Sequence, residues 1–508
     1  MIRMEVTLLL NKKENTKRGV KVLGSMNTIS ISFWGLLGFF VFTLVACAAA
    51  LEYTTFAVIF GFIGVCIIGK GIIHRQKQLF SLTLVFWGFS ALYALSVPLA
   101  IIFGEETDPT FIGGNLTRNV NPFLFAYALS CLGFILGQIN YKANKCYETN
   151  IKVNNFDYTF NVNLLKRGAI ISAFLASLFE TINLFRIGGT EMLFMGKGVY
   201  QSNVGDLFLT LPSHNMYSIC GIFLGILLAY SKLTNYKEKN NICLMICILF
   251  LVPFLTCKIL LGMRGTLISA VLTGIASYTV FVPIKKFSWK LFLWGILIYV
   301  FLVFLYTNRG IVSLLVSNPT DFFSMAFDLE RLEANFNPGN SEFGAAFGNF
   351  CVYFERYGTD FSKYLGLTYI QGLAVPIPSF LYPGDKPLQI TYAFRDEFFA
   401  SWALRSRIAS TGFSSILEGY INGGFLGIFV IYLVWGKLLK LADNVRLKKT
   451  SIIGILLSSI LVDTCMEFSR TAFGGILGEY IWKMIYCIFI YLVAKYLRIS
   501  FWKSNRMI

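Results

Sequence analysis

The sequence predicts an all-α polytopic membrane protein with about twelve transmembrane helices and one long, partly helical extracytoplasmic loop. The first observation is composition, because 56% of the residues are hydrophobic and only 14% are charged, too few charges for a water-exposed surface. The second is that the apolar residues form unbroken runs of about 20, the length needed to cross a bilayer as a helix. Backbone polar groups in lipid must be bonded within their own segment, so these runs are predicted to be helices.

The runs are placed in order along the chain, and each predicted span is separated from the next by a short polar stretch. They lie near 29–51, 56–73, 79–103, 122–140, 165–185, 212–231, 242–262, 266–283, 291–307, 413–436, 451–467 and 475–495.

The distribution of basic residues predicts the orientation of these spans. Every second connection carries a basic cluster, as in His74–Lys77, Lys237 with Lys239, and Lys285 with Lys286, whereas the connection at Glu105–Asp108 is acidic. This alternation follows the positive-inside rule and places both termini in the cytoplasm. The net charge of +17 therefore indicates orientation, and no nucleic-acid partner is predicted.

The spans divide the chain into five regions. A basic cytoplasmic tail is predicted at 1–28, spans one to nine at 29–307, a large extracytoplasmic loop at 308–411, spans ten to twelve at 412–498, and a cytoplasmic tail at 499–508. The loop is predicted to be helical over Asp321–Phe336 and Glu342–Tyr357, and then extended through a proline-rich part. Loops of this length usually bind or cover a ligand.

Ionisable residues inside or beside the spans are the first functional candidates, because they are costly there. They gather toward the extracytoplasmic ends, at Glu180, Lys258, Asp463, Glu467, Glu479 and Lys483. Glu479 and Lys483 are four residues apart and share a helix face, so a structural ion pair is one interpretation. Asp463 and Glu467 carry like charges and need a cation, for which Arg470 or Lys258 is available.

Arginines on the extracytoplasmic side oppose the prevailing charge bias and therefore indicate an anionic ligand. A guanidinium matches phosphate oxygens in a bidentate manner, so we predict a diphosphate-binding role for this group. The alternatives are arginines that reach the lipid headgroups, or loop charges paired with Asp396 and Glu397. The group consists of Arg264, Arg309, Arg405, Arg407 and Arg470.

Two residues are candidates for a general base. Glu418 lies at the entrance of span ten in a glycine-containing stretch and is expected to face the outer aqueous boundary, as a base or as a helix cap. His214 begins span six and has a side chain that titrates near neutral pH, although a structural role is equally open. With two histidines and no paired ligand spacing, no metal site and no cofactor are predicted.

Short motifs in the long loop and after it resemble those of the Wzy-type oligosaccharide repeat-unit polymerases, which make O-antigen and capsule. The resemblance lies in Gly366–Tyr369, Val375–Pro378, Tyr382–Pro387, Ser414–Tyr420 with Asn422–Gly424, and the Arg264–Gly265 turn. It covers roughly 260–435 by motif and the whole chain by architecture.

This resemblance implies a metal-independent membrane glycosyltransferase of GT-C-like architecture in a bacterial inner membrane. Its substrates would be oligosaccharides linked to a polyprenyl diphosphate carrier such as undecaprenyl diphosphate. The growing chain would pass to the end sugar of an incoming unit, with the arginines on the diphosphate and Glu418 or His214 as base. Membrane lipids and a chain-length-regulating co-polymerase are the implied partners.

Two other functions remain open from the sequence. A lipid-linked glycan ligase would use the same chemistry on a different acceptor. A flippase or secondary transporter also suits twelve spans with cytoplasmic termini, but the common two-bundle design places its long loop inside, between spans six and seven. Here that connection, 232–241, is short.

Removal of a predicted phosphate ligand tests the interpretation of the arginines. Arg264→Ala or Arg407→Ala should leave single-repeat glycans in place of a long-chain ladder on a gel, because the leaving diphosphate loses a cationic partner. Normal ladders from both variants at normal expression would contradict the predicted phosphate contacts.

Overall fold

The computed structural model describes residues 34–76, 78–104, 119–139, 162–186, 188–189, 210–234, 238–261, 264–284, 288–308, 311, 314–336, 343–360, 364–399, 412–448 and 452–497. These residues form helices joined by turns and bends, and no β-strand occurs among them. The all-helical class is therefore confirmed for the described part of the chain.

The helices are numbered in chain order. The first group is α1 Trp34–Ala50, α2 Thr54–Gln76, α3 Leu82–Ile102, α4 Val120–Ile139, α5 Val162–Arg186, α6 Thr210–Thr234, α7 Glu238–Leu260, α8 Arg264–Phe281 and α9 Trp289–Asn308. Six short helices follow: α10 Leu314–Ser317, α11 Pro319–Ala326, α12 Leu329–Phe336, α13 Ala345–Tyr357, α14 Leu367–Gly372 and α15 Ile390–Phe398. The last group is α16 Ser415–Lys448, α17 Ile452–Glu467 and α18 Phe473–Tyr496.

Eight of the described helices, α2 to α7 with α16 and α18, are long and apolar enough to cross a membrane. This is the character of a polytopic membrane protein. A helix lies within each of the twelve predicted spans, but α1, α17 and the apolar parts of α8 and α9 are shorter than the others. The count of twelve spans stays a prediction.

The buried apolar side chains form two cores. One joins α1 to α4 with α13, α15 and α16, and the other joins α5 to α8 with α18. Helix α17 contributes to both, with Val462 and Cys465 in the first core and Ile455 and Leu456 in the second. It therefore lies where the two halves of the bundle meet.

Small residues allow the closest helix crossings. On α6, a Cβ added to Gly221 or Gly225 would strike the backbone carbonyl oxygen of Ala270 or Gly274 on α8. Side-chain hydroxyls add hydrogen bonds at this crossing, because Thr273 donates to the carbonyl of Ser218 at 3.0 Å. Apolar attraction is weak between helices in lipid, so close packing of this kind is a main source of helix association.

Helix α16 is broken at Gly423 and Gly424, where the backbone leaves the helical region and Gly424 takes a positive φ of 60°. The short half, 415–422, folds back on the long half, and a Cβ on Gly427 would strike the carbonyl oxygen of Gly419. An eight-residue helix is about 12 Å long, so Ser415 lies well inside the bundle. The sequence predicted one continuous span here. The glycine pair permits the reversal instead.

Part of the region predicted as a loop enters the bundle. Phe347 and Phe350 of α13 pack edge-on against Phe123 of α4, with ring centroids 4.8 and 5.4 Å apart. Phe350 also contacts Tyr420 of the short half of α16 at 5.1 Å. Residues 343–357 therefore share a core with membrane helices, whereas the sequence predicted a cover above them.

The helical stretch predicted at Asp321–Phe336 is divided into α11 and α12. Asp328 causes the division, because its carboxylate accepts the backbone N–H of Glu330 at 3.0 Å and so caps α12. The second predicted stretch corresponds to α13, and the proline-rich part after α14 consists mainly of turns and bends around one 3₁₀ turn at Ser379–Leu381.

The α6–α8 crossing can be tested by adding one methyl group. Gly225→Ala should lower the free energy of unfolding by about 1–3 kcal/mol, because the new Cβ has no room against Gly274. Thermal unfolding of the purified protein in detergent measures the effect. Gly88→Ala on α3 is the control, since its Cβ would meet nothing within 4 Å. Equal melting temperatures for the two variants would contradict the close crossing.

Candidate functional site

Polar side chains from four helices, α6, α8, α17 and α18, meet at the end of the bundle where α6, α8 and α18 begin. His214, near the start of α6, contacts Thr266 in the first turn of α8, with 2.8 Å between Nδ1 and Oγ1. Its other ring nitrogen, Nε2, lies 3.7 Å from Oε1 of Glu479 on α18. The imidazole therefore connects three helices.

Lys483 lies beneath this histidine and holds two carboxylates. Its Nζ is 2.5 Å from Oε1 of Glu479, one turn earlier on α18, and 2.8 Å from Oδ2 of Asp463 on α17. Ser269 of α8 donates a further hydrogen bond to Asp463 at 2.5 Å. Lys483 and Asp463 are almost completely buried, so their charges are compensated by each other and by hydrogen bonds, as buried charges require.

Arg470 lies in the turn between α17 and α18 and makes a two-point contact with Glu467. Its Nε is 2.9 Å from Oε2, and its Nη2 binds Oε1 of the same carboxylate. Thr471 donates to Oε2 at 3.0 Å. A Cβ placed on Gly265 would lie 3.7 Å from Nη2 of Arg470, which places this guanidinium against the first turn of α8.

We call this group of residues the α8 site, after the helix whose first turn it surrounds. Its members are His214, Thr266, Ser269, Asp463, Glu467, Arg470, Glu479 and Lys483. A buried ion pair lies beside it, because Lys258 of α7 is 2.6 Å from Glu180 of α5, and Ser213 donates to that same carboxylate.

Glu418 belongs to a second polar group, which we call the Glu418 network. Oε2 of Glu418 accepts the backbone N–H of Phe473 at 2.6 Å, and Oε1 accepts the hydroxyl of Thr368 at 3.1 Å. Asn422 donates to the Thr368 hydroxyl at 2.6 Å and accepts the backbone N–H of Gly366 at 3.0 Å. The network ties α14, the short half of α16 and the first residue of α18 together.

The carboxylate of Glu418 therefore caps α18, where a negative charge is favourable. Glu418 is 1% exposed, which differs from the outer aqueous position that the sequence led us to expect. The fold-back at Gly423–Gly424 is the reason, because it carries 415–422 into the bundle.

Burial, and to a smaller extent the nearby Glu418, raises the pKa of Tyr369 on α14 well above its ordinary value.

Several pairings expected from the sequence can be compared with the structure. The ion pair of Glu479 with Lys483 is present, and Arg470 does pair with Glu467. Lys258 was the other cation considered for Asp463 and Glu467, but it binds Glu180 because α7 packs against α5. Lys483 is the cation that pairs with Asp463 in the structure.

The predicted site residues fall into three sets. His214 and Arg470 both lie at the first turn of α8, which begins with Arg264, and Glu418 lies in the separate network. Arg309, Arg405 and Arg407 are outside the described residues, and so is the side chain of Arg264.

Sequence reasoning missed the hydroxyl groups of the α8 site. Thr266 and Ser269 lie in the span predicted at 266–283 and were not among the candidate residues. Their spacing to Thr273, three and then four residues, places all three on one face of α8, and that periodicity was the available signal.

A polar group at the opposite end of the bundle was also missed. Asp443 of α16 accepts the backbone N–H groups of Leu82 and Thr83, each at 3.0 Å, and so caps α3. Arg446 is completely buried beside it and donates to Thr279 of α8 at 2.8 Å. The spacing of three between Asp443 and Arg446 was the signal in the sequence.

The chain matches no protein-family model, no curated protein and no solved structure. Its function is therefore argued from the residues of the α8 site and from the resemblance of its motifs.

The Glu418 network predicts a difference between two substitutions. Glu418→Ala should lower stability by about 1.5–3 kcal/mol, because it leaves Phe473 and Thr368 without their charged partner. Glu418→Gln should keep most of that stability and any activity, since its amide can bond to both groups. Thermal unfolding of each variant, beside exposed Glu355→Ala as control, measures this. Loss of activity in a stable Glu418→Gln protein would instead support a catalytic base.

Proposed function

We propose that this protein is a membrane glycosyltransferase that polymerises polyprenyl-diphosphate-linked oligosaccharide repeat units at the outer face of a bacterial inner membrane. The observation that carries the proposal is that Arg470 packs against the helix turn begun by Arg264, although the two arginines are far apart in the sequence. Both had been predicted to bind diphosphate.

The first turn of α8 suits an anionic leaving group. The first N–H groups of any α-helix have no partner within the helix, and the helix dipole favours negative charge there. The guanidinium of Arg470, fixed by its two-point contact with Glu467, adds a positive charge beside that turn. Such fixed donors stabilise a diphosphate as its bond to the sugar breaks, without the need for a metal ion.

His214 supports the same position for the reacting sugars. The acceptor hydroxyl must lose a proton as it attacks, and His214 contacts the same turn through Thr266. Glu418, the other predicted base, is held in the Glu418 network by two hydrogen bonds. Of the two residues, His214 is therefore the one that we place at the reaction.

The membrane arrangement of the proposal follows from the charge pattern. With basic connections in the cytoplasm, α8 begins on the outer side, so the α8 site lies in the outer half of the bilayer. The lipid carrier would reach it from the membrane. We propose that region 308–411 is extracytoplasmic and contacts the glycan, with Arg309, Arg405 and Arg407 as further diphosphate ligands and a chain-length-regulating protein as partner.

A transporter is the second candidate, and one observation favours it. Broken helices such as α16 are common where transporters bind their substrates. A lipid-linked glycan ligase would share the chemistry of a polymerase. A disruption strain distinguishes the three functions: single repeat units on the acceptor indicate a polymerase, unattached full-length chains a ligase, and lipid-linked units retained on the cytoplasmic side a flippase.

Arg470 provides the direct test of the proposed diphosphate site. Arg470→Ala should reduce polymer formation about 10²–10³-fold, the usual loss for one donor to a developing anion. Arg470→Lys should restore only part of the rate, because it keeps the charge but loses the fork. Arg186→Ala, at the exposed end of α5, is the matched control. The rate is measured as polymer formed by membranes with equal protein content. A wild-type rate for Arg470→Ala would contradict the proposal.

A further inference from the structure

The side chains of His214 and Glu479 are too far apart for a direct hydrogen bond and are more exposed than their neighbours. Nε2 and Oε1 are 3.7 Å apart, beyond the usual 2.7–3.2 Å of a hydrogen bond. One oxygen atom can nevertheless bond to both at ordinary distances. The two side chains are 30% and 27% exposed, whereas Thr266, Asp463 and Lys483 are buried. The pair therefore forms the accessible edge of the α8 site.

The contacts of the imidazole determine which nitrogen carries the proton. Nε2 faces the carboxylate of Glu479, and a bare nitrogen lone pair would repel that charge, so the arrangement favours a proton on Nε2. Nδ1 then accepts the hydroxyl hydrogen of Thr266 at 2.8 Å. A histidine in this form donates a hydrogen bond from Nε2 and has no free lone pair for a substrate.

Lys483 keeps Glu479 ionised, because its Nζ lies 2.5 Å from Oε1 of that carboxylate, and an ionised carboxylate is the form that can accept a proton. Asp463, Glu479 and Lys483 together carry one negative charge when His214 is neutral. The neighbouring pairs, Glu180 with Lys258 and Glu467 with Arg470, each sum to zero. A proton taken up by Glu479 would therefore bring Asp463, Glu479 and Lys483 to a combined charge of zero.

We propose that Glu479 and His214 together hold the acceptor hydroxyl of a carbohydrate, and that Glu479 is the group that takes its proton. This inference rests on the proposed function. Glu479 accepts a hydrogen bond from the hydroxyl, while Nε2–H of His214 donates one to the hydroxyl oxygen. Lys483 and Thr266 are positioning residues, since they fix the carboxylate and the imidazole.

The step balances without any further reactant. The O–H bond of the acceptor breaks and its proton bonds to a carboxylate oxygen of Glu479. The electron pair left on oxygen forms the new bond to the anomeric carbon of the donor glycan. The bond from that carbon to the diphosphate oxygen breaks, and its electrons leave with the polyprenyl diphosphate. Glu479 then releases the proton to water.

The experiment uses the full chain in proteoliposomes. The probe is the labelled lipid-linked oligosaccharide extracted from a strain in which the gene is disrupted. Initial rates of polymer formation and binding of the probe are both measured. Glu479→Gln should polymerise about 10²–10⁴-fold more slowly, the usual contribution of a general base. It should bind the probe as the wild type does, because the diphosphate contacts are intact. Glu52→Gln, at an exposed position between α1 and α2, is the matched control.

A second variant separates proton transfer from a purely structural role. Glu479→Asp keeps a carboxylate on a shorter side chain and should regain part of the lost rate, and it carries the test if Glu479→Gln does not fold. A folded Glu479→Gln protein that polymerises at the wild-type rate overturns the inference and leaves the proposed function standing. A Glu479→Asp protein as slow as a folded Glu479→Gln protein also overturns it. If the wild type forms no polymer from the probe, both the proposed function and the inference are wrong.

Discussion

Charged groups among apolar helices must find their partners within the protein, because lipid offers neither ions nor hydrogen bonds to replace water. Much of this structure follows from that constraint. Lys483 binds two carboxylates on two helices, and Lys258 binds Glu180 across α5 and α7. Removing one partner of such a pair costs about 3–5 kcal/mol, so these contacts fix how the helices are arranged.

The same constraint explains how α16 connects the parts of the bundle. Its two buried carboxylates cap the first turns of other helices, Glu418 that of α18 and Asp443 that of α3. Glu479 lies six residues after the capped end of α18, about 9 Å along the axis. The Glu418 network therefore positions the helix that carries part of the α8 site.

The fold-back of α16 allows segments from the region between α9 and α16 to pack among the membrane helices of the proposed enzyme. Residues 343–357 and 412–422 pack together within the membrane helices, and Thr368 ties α14 to Glu418 and Asn422 of the second segment. Residues 343–357 and α14 are thus anchored in the bundle near the start of α18, which follows Arg470 by three residues. A glycan held by this region would lie close to the proposed diphosphate site.

The sequence by itself determined the helical class and the position of a helix in every predicted span, because long apolar runs leave the backbone no other way to satisfy its polar groups. It also singled out Arg264, Arg470 and His214 as candidates, since ionisable residues in an apolar chain stand out, and the structure brings His214 and Arg470 to the helix turn that Arg264 begins. The break of α16 and the burial of Glu418 were decided by the tertiary structure. A glycine pair in a helix can either bend the chain or allow close packing, and contacts with neighbouring helices determine which of the two occurs. Likewise, the choice of Lys483 over Lys258 as partner of Asp463 followed from which helices lie side by side, a property of the tertiary structure that local spacing does not contain.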